Sequence, residues 1–73
     1  MADISVRSEV AGIVARVAAA VGRRVAEGDE VIIIEAMKME LPVLAPAAGT
    51  VAAILVTEGE AVSEGQAIAT LSR

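Results

Sequence analysis

The chain has 73 residues with no cysteine, no histidine and no aromatic residue, and its six basic and ten acidic side chains give a net charge of −4. These absences exclude a disulfide framework and thiolate chemistry, and they remove the most common general base and metal ligand. An acidic chain without aromatic stacking groups is also a poor nucleic-acid binder. We therefore expect neither a metal site nor a nucleic-acid partner.

Length and hydropathy predict one small domain outside the membrane. Apolar residues make up 56% of the chain, which is enough for a single compact core over residues 1–73. No apolar stretch approaches the roughly 20 residues of a transmembrane helix. The start Met1-Ala2-Asp3 has neither the basic nor the apolar region of a signal peptide, so we expect a cytoplasmic protein without a membrane partner.

The sequence contains an internal duplication with an offset of 37 residues, because residues 11–35 align with residues 48–72 without a gap. Eight of the 25 aligned positions are identical, and glycines coincide in three places: Gly12/Gly49, Gly22/Gly59 and Gly28/Gly65. Two copies are too few for a solenoid. We predict two half-repeats, at about 4–35 and 41–72, that share one core and are joined by a hairpin at 36–40.

Short strands between turns are predicted in each half. Ile4–Ser8 alternates between apolar and polar residues as a half-buried strand does. Gly12 and Gly49 are expected to open strands, and Gly22 and Gly59 to lie in connections. Two further turns are predicted at Glu27-Gly28-Asp29 and Glu64-Gly65-Gln66.

The segment Gly12–Ala26 allows two interpretations. Its alanines and arginines favour a helix, and four valines recur at helical spacing: Val14, Val17, Val21 and Val25. The aligned stretch Thr50–Thr57 contains β-branched residues and is followed by Gly59, both of which disfavour a helix. Because duplicated halves should fold alike, we predict strands in both.

The midpoint of the duplication carries the candidate chemistry. Val31–Ile34 is β-branched throughout, as suits a strand covered on both sides, and Leu41–Leu44 is a second apolar strand. Between them lies Lys38, the single lysine of the chain. A hairpin with Lys38 at its tip accommodates both strands. Modification of a side-chain amine therefore has one target in this protein.

The sequence around this lysine resembles the attachment site of biotin carboxyl carrier domains. The resemblance rests on Glu35-Ala36-Met37-Lys38-Met39-Glu40, on Leu41-Pro42-Val43-Leu44-Ala45-Pro46 and on Gly49-Thr50-Val51, and it continues through Glu58-Gly59, Val62 and Glu64–Ile68. It spans about residues 4–72. The family often has prolines before the first-half glycine, where this chain has Glu9-Val10-Ala11, so the start of the second strand stays open. The gap-free alignment between Gly12 and Gly28 leaves no room for the thumb that some carriers insert. The chain thus looks like the short, free-standing biotin/lipoyl attachment proteins.

The resemblance implies an all-β fold. Its architecture is a flattened barrel or sandwich of two four-stranded antiparallel sheets, related by a pseudo-twofold axis and known as a barrel-sandwich hybrid. It also implies a lysine on a hairpin tip and chain termini that lie together at the opposite end of the molecule.

The resemblance further implies a function as a biotin carrier. Biotin–protein ligase would attach biotin to Lys38 from biotinyl-adenylate, and the biotin arm would shuttle a carboxyl group between the sites of biotin carboxylase and carboxyltransferase. The chain itself is expected to be a non-catalytic component. Without histidine or cysteine, Lys38 alone offers a nucleophile, and nothing in the sequence activates it.

The residues around Lys38 allow more than one interpretation. Met37 and Met39 pack on the hairpin, form the surface that ligase and partner enzymes recognise, or do both. Ala36, Glu35 and Glu40 complete the expected tip. The two glutamates are expected to be solvated charges at the strand ends, with contact to the ligase as the alternative. The simplest alternative for Lys38 is an ordinary exposed hairpin lysine.

Two other functions compete with the biotin carrier. A lipoyl carrier of a 2-oxo acid dehydrogenase complex shares the implied fold and the lysine. Those domains resemble Asp-Lys-Ala at the tip, whereas this chain has Met37-Lys38-Met39, which favours biotin. The second alternative is a non-carrier adaptor of the same fold, whose partner would not require Lys38.

Overall fold

Eight short strands form the regular structure of residues 3–73, the part of the chain that this computed structural model describes. In chain order they are β1 (Asp3–Arg7), β2 (Gly12–Val17), β3 (Arg24–Val25), β4 (Glu30–Ala36), β5 (Met39–Leu44), β6 (Gly49–Ile54), β7 (Ala61–Val62) and β8 (Ala67–Ser72). No helix occurs within residues 3–73. In particular, these residues contain no helix of the length and apolarity needed to cross a bilayer.

The strands form two antiparallel sheets of four, and each sheet takes two strands from each half-repeat. The terminal sheet has the order β1-β8-β6-β3, and the hairpin sheet has the order β5-β4-β2-β7. Exchanging the halves converts one order into the other. Bulges also coincide, because the register shifts between Val14 and Arg16 in β2 and between Val51 and Ala53 in β6. The predicted all-β fold with two pseudosymmetric four-stranded sheets is confirmed.

Backbone hydrogen bonds between the halves follow the same symmetry. The amide of Gly22 donates to the carbonyl oxygen of Val51 at 2.8 Å, and the amide of Gly59 donates to that of Val14 at 2.8 Å. Each half thus fixes a turn of the other half against its own central strand. This interlocking explains why two half-repeats, neither large enough for a core of its own, fold as one unit.

The helical interpretation of Gly12–Ala26 is wrong, and the strand prediction is confirmed at its two ends. The segment forms β2 and β3, joined by a connection at residues 18–23. The regularly spaced valines do not share a buried face, because Val14 and Val25 are buried whereas Val21 is 61% exposed. The predicted strand openings at Gly12 and Gly49 are confirmed.

Two glycines permit close approach of strands. A Cβ atom on Gly12 would lie 2.4 Å from the carbonyl oxygen of Glu35, and one on Gly49 would lie 2.8 Å from that of Ser72. Both distances are shorter than a non-bonded contact allows. The central strands β2 and β6 can therefore approach β4 and β8 only because these positions have no side chain.

The core lies between the sheets and is entirely aliphatic. Val31–Ile34 is buried along its whole length, which confirms the prediction of a strand covered on both sides. The largest fully buried aliphatic side chains are Ile32, Ile34, Ile68, Leu71, Val6, Val14, Val25, Val31 and Val51. Burial of each stabilises the fold by roughly 1.5–3 kcal/mol before the loss of conformational entropy is subtracted. Among the described residues, no buried side-chain nitrogen or oxygen lacks a hydrogen-bond partner.

The molecule is elongated, and its Cα atoms span 36 × 17 × 17 Å. The C-terminal parts of the edge strands β1 and β5 meet at a cleft of about 500 Å³, lined by Ser5–Arg7 and Pro42–Leu44. From this cleft the two strands diverge. The first leads back to Asp3, which pairs with Ser72, and the second leads back to Met39 at the hairpin. Asp3 and Ser72, the paired residues that lie nearest the two ends of the described chain, therefore lie together, in agreement with the resemblance.

Candidate functional site

A two-residue loop joins β4 to β5 and carries Lys38. Ala36 and Met39 form the last pair of the two strands, so that Met37 and Lys38 alone make the turn. Their φ angles are +52° and +64°, as at the two central positions of a type I′ turn. The backbone twist of this turn matches the right-handed twist of the strands, which is why two residues are enough to reverse the chain.

The turn is strained by the residues that occupy it. Type I′ turns favour Asn and Gly, because other residues lose roughly 1–2 kcal/mol in the left-handed conformation. The other positive φ angles of residues 3–73 fall on glycines: Gly22, Gly28, Gly59 and Gly65. Met37 and Lys38 are the two non-glycine residues in this part of the chain with a positive φ angle. The well-packed strands on either side hold the turn in a conformation that its own sequence disfavours.

The side chains at the tip point into solvent. Met37 is 94% exposed and Met39 is 60% exposed, and Lys38 is also exposed. The interpretation that Met37 packs on the hairpin is therefore wrong, because its apolar side chain makes almost no contact with the rest of the protein. The recognition role of Met37 and Met39 stays a prediction.

The amine of Lys38 belongs to an exposed residue at the tip of the hairpin. None of the side-chain hydrogen bonds found in residues 3–73 involves Lys38. Its flexible four-carbon side chain extends from a turn that is held by the two strands β4 and β5. Such an amine is accessible to a second protein from most directions. It can accept an acyl group from an activated donor, but it has no neighbouring base to increase its own reactivity.

The other predicted site residues lie directly below the turn. Ala36 is half-buried opposite Met39, whereas Glu35 and Glu40 are exposed and face each other across the two strands. Like charges in this arrangement repel each other. Their exposure agrees with the predicted solvated charges at the strand ends. The structure thus brings all six predicted residues together at one end of the molecule.

One neighbour of this group was not identified from the sequence. Ile13 in β2 pairs with Glu35 on the side away from Glu40, and it is 42% exposed. The alignment of the two halves contained a signal for it, since Ile13 aligns with the polar Thr50. Within residues 3–73, no group of three or more acidic side chains is arranged to hold a metal ion.

Comparison with known proteins identifies relatives along the whole chain. Residues 1–71 match a family model described as "Biotin-requiring enzyme". The chain is 39% identical over 67 residues to the "Biotinylated protein TB7.3 homolog" of Mycobacterium leprae (strain TN), covering 92% of this chain and 94% of that protein. It is 36% identical over 69 residues to the "Biotin/lipoyl attachment protein" of Bacillus subtilis (strain 168), covering 94% of each.

The same domain occurs inside much longer enzymes. The urea carboxylase of Kluyveromyces lactis contains a region that superimposes with a TM-score of 0.94 and 40% sequence identity, covering 99% of this chain but 6% of that chain. The similarity to such enzymes therefore concerns one small domain of them. With the family model matched along nearly all of its length, and with two relatives of its own size, the chain belongs to the biotin/lipoyl attachment family.

Proposed function

We propose that this chain is a biotin carrier and that Lys38 takes biotin through an amide bond. The observation that carries the proposal is the two-residue turn that presents the single lysine of the chain to solvent. Membership of the family supports the carrier function, as does the printed name of the Mycobacterium leprae relative, a biotinylated protein. Met37, Met39 and Glu35 belong to the surface that the modifying enzyme meets first.

The chemistry at Lys38 is an acyl transfer. An alkylammonium group at neutral pH does not react with a free carboxylic acid, so an activated donor is needed. Lys38 loses a proton to solvent or to the ligase, and its nitrogen attacks the acyl carbon of the biotinyl-adenylate held by a biotin–protein ligase. The new C–N amide bond replaces the bond between acyl carbon and phosphate oxygen, and AMP leaves. The hairpin contributes position, because its rigid base limits where the nitrogen can go.

The same geometry suits a carrier after attachment. When bound, biotin supplies a ureido nitrogen that can hold a carboxyl group. The Lys38 stem is flexible, whereas the β4–β5 base is rigid. A tether of this kind keeps the group at its end close to nearby active sites, where its effective concentration is on the order of millimolar. Biotin carboxylase and carboxyltransferase are the proposed partners, and the chain contributes no catalytic group. The cytoplasmic location stays a prediction.

Replacement of Lys38 by arginine tests the proposal. The wild-type chain, produced with a biotin–protein ligase and biotin, should gain the mass of one biotinyl group and bind streptavidin. Lys38→Arg keeps the charge and the turn, so its unfolding midpoint should be unchanged while the adduct disappears. Addition of biotin to Lys38→Arg, or no addition to the wild type, would show that the proposal is wrong.

The lipoyl carrier is the second candidate, because the Bacillus subtilis relative has both groups in its name. The unmodified chain can be incubated in parallel with biotin and its ligase, and with lipoate and a lipoate ligase. A biotinyl adduct in the first reaction and none in the second supports the biotin carrier. A lipoyl adduct without a biotinyl one would reverse the assignment. A non-carrier adaptor would retain its partner function in Lys38→Arg, whereas a carrier loses all support of carboxylation.

A further inference from the structure

The outer faces of the two sheets have equivalent backbones but different side chains. On the hairpin sheet, the outward residues next to the tip are Ile13, Arg16, Glu35, Glu40, Pro42 and Ala61. The equivalent residues of the terminal sheet are Thr50, Ala53, Ser72, Asp3, Ser5 and Arg24. Since the duplication makes each face a control for the other, differences between them are not required by the fold.

Next to the tip, the hairpin face has a large exposed apolar side chain where the terminal face has a polar one. Ile13 exposes 42% of its surface where the terminal sheet has Thr50. Beside it lies Ile33, which is 4% exposed but outside the core cluster, and which aligns with Thr70. Threonine at both equivalent positions satisfies the same strand geometry. The exposed isoleucine therefore contributes no packing that folding needs, and it presents apolar surface to water.

The apolar residue lies within reach of any protein that receives Lys38. Ile13 pairs with Glu35, and Glu35 pairs with Glu40, so the three form a row directly below the turn. Two strand spacings separate the ends of the row, a distance of about 10 Å. An enzyme that encloses the lysine stem meets this row on the same side of the molecule.

We infer that the outer face of the hairpin sheet, centred on Ile13, is the surface on which the biotin–protein ligase docks. This inference rests on the proposed function. The matching surface of the ligase has an apolar contact for Ile13 and cationic side chains for Glu35 and Glu40. None of the side-chain hydrogen bonds found in residues 3–73 involves either glutamate, so both carboxylates are available to an external partner.

A second copy of the chain does not fit this face as well. Two copies would bring the same two glutamates together, and each copy has a net charge of −4. An enzyme with cationic side chains opposite this face would instead be attracted to it.

Exchange of the equivalent residues tests the inference. Initial rates of biotin transfer to the unmodified chain are measured with a bacterial biotin–protein ligase, ATP and biotin, from low to saturating concentrations of the chain. Ile13→Thr should lower kcat/KM about five- to tenfold through KM, with kcat unchanged, because docking and not acyl transfer is affected. Thr50→Ile, the matched control on the other face, should stay within about twofold of the wild type.

Further variants separate docking from folding. Ile13→Leu keeps an apolar side chain and should retain most of the rate, and thermal unfolding of each variant confirms that it is folded. A wild-type rate for folded Ile13→Thr would overturn the inference, as would an equal loss in Thr50→Ile. A wild-type chain that takes no biotin at all would refute the proposed function instead, so the two failures are distinguishable.

Discussion

The two ends of the molecule have equivalent strand pairs, but only one of the two pairs is joined by a turn. At the hairpin end, β4 and β5 are joined by Met37 and Lys38; at the other end, the equivalent strands β8 and β1 pair through Ser72 and Asp3 and are not joined. The duplicated fold is therefore complete without the turn as a structural element. A connection that the core does not need can carry side chains chosen for another purpose, which is where the single lysine lies.

The ends also differ in how firmly they are held. Glu35 lies in β4, which the two-residue turn ties to its neighbour β5, whereas Ser72 lies in β8, which no turn ties to its neighbour β1. The hairpin end should therefore tolerate less local movement than the terminal end. This rigidity is what a site needs if a second protein is to find Lys38 in a fixed position.

Alanine at the two close-approach glycines is the strongest test of that difference. Gly12→Ala places a Cβ atom 2.4 Å from the Glu35 carbonyl oxygen and 2.8 Å from Cγ2 of Ile34. We expect it to lower the free energy of unfolding by about 3 kcal/mol. Gly49→Ala should cost about half as much, because β8, which carries Ser72, is not tied to β1 by a turn and can shift. Urea unfolding measures both, and equal losses would mean that the two ends are equally rigid.

Relief of the strained turn is the next largest expected effect. Met37→Asn and Lys38→Gly introduce the residues that type I′ turns favour, so each should raise the free energy of unfolding by about 1 kcal/mol. Met39→Asn is the matched control, since it places the same asparagine in a strand, where it should not stabilise the protein. If Met37→Asn is neutral in urea unfolding, the turn stores no strain. In that case Met37 and Lys38 would not lower the free energy of unfolding of the wild-type protein.

The charges below the turn should give the smallest effect. Glu40→Gln removes one of two facing carboxylates and should raise stability by a few tenths of a kcal/mol at low salt, an increase that disappears in high salt. Asp3→Asn is the control at the other end, because the cross-strand partner of Asp3 is the uncharged Ser72. Thermal unfolding at two salt concentrations checks both variants. An equal response from Asp3→Asn would show that net charge, not the facing pair, is responsible.

The strands and the location of the lysine could be predicted from local signals. The β-branched run Val31–Ile34, the glycines at equivalent positions and the single Lys38 between apolar strands are all visible in the chain itself. The segment Gly12–Ala26 shows the limit of such signals. Its valine spacing favours a helix, and only the comparison with the second half corrected that interpretation.

Other features depend on contacts between residues distant in the sequence. The left-handed conformation of Met37 and Lys38 contradicts local preference and is imposed by the register of β4 and β5. The exposure of Ile13 and the burial of Ile33 could not be deduced from residue type, because the two isoleucines differ only in what surrounds them.

The sequence by itself therefore determined the repeat, the strands and the position of the single lysine, since these follow from composition, periodicity and residue chemistry. Tertiary structure decided how the halves interlock, which faces stay open and how firmly the turn is held. Those properties arise from pairing across the sheets, as where the Gly22 amide donates to Val51 of the other half, and a linear pattern does not specify such long-range contacts.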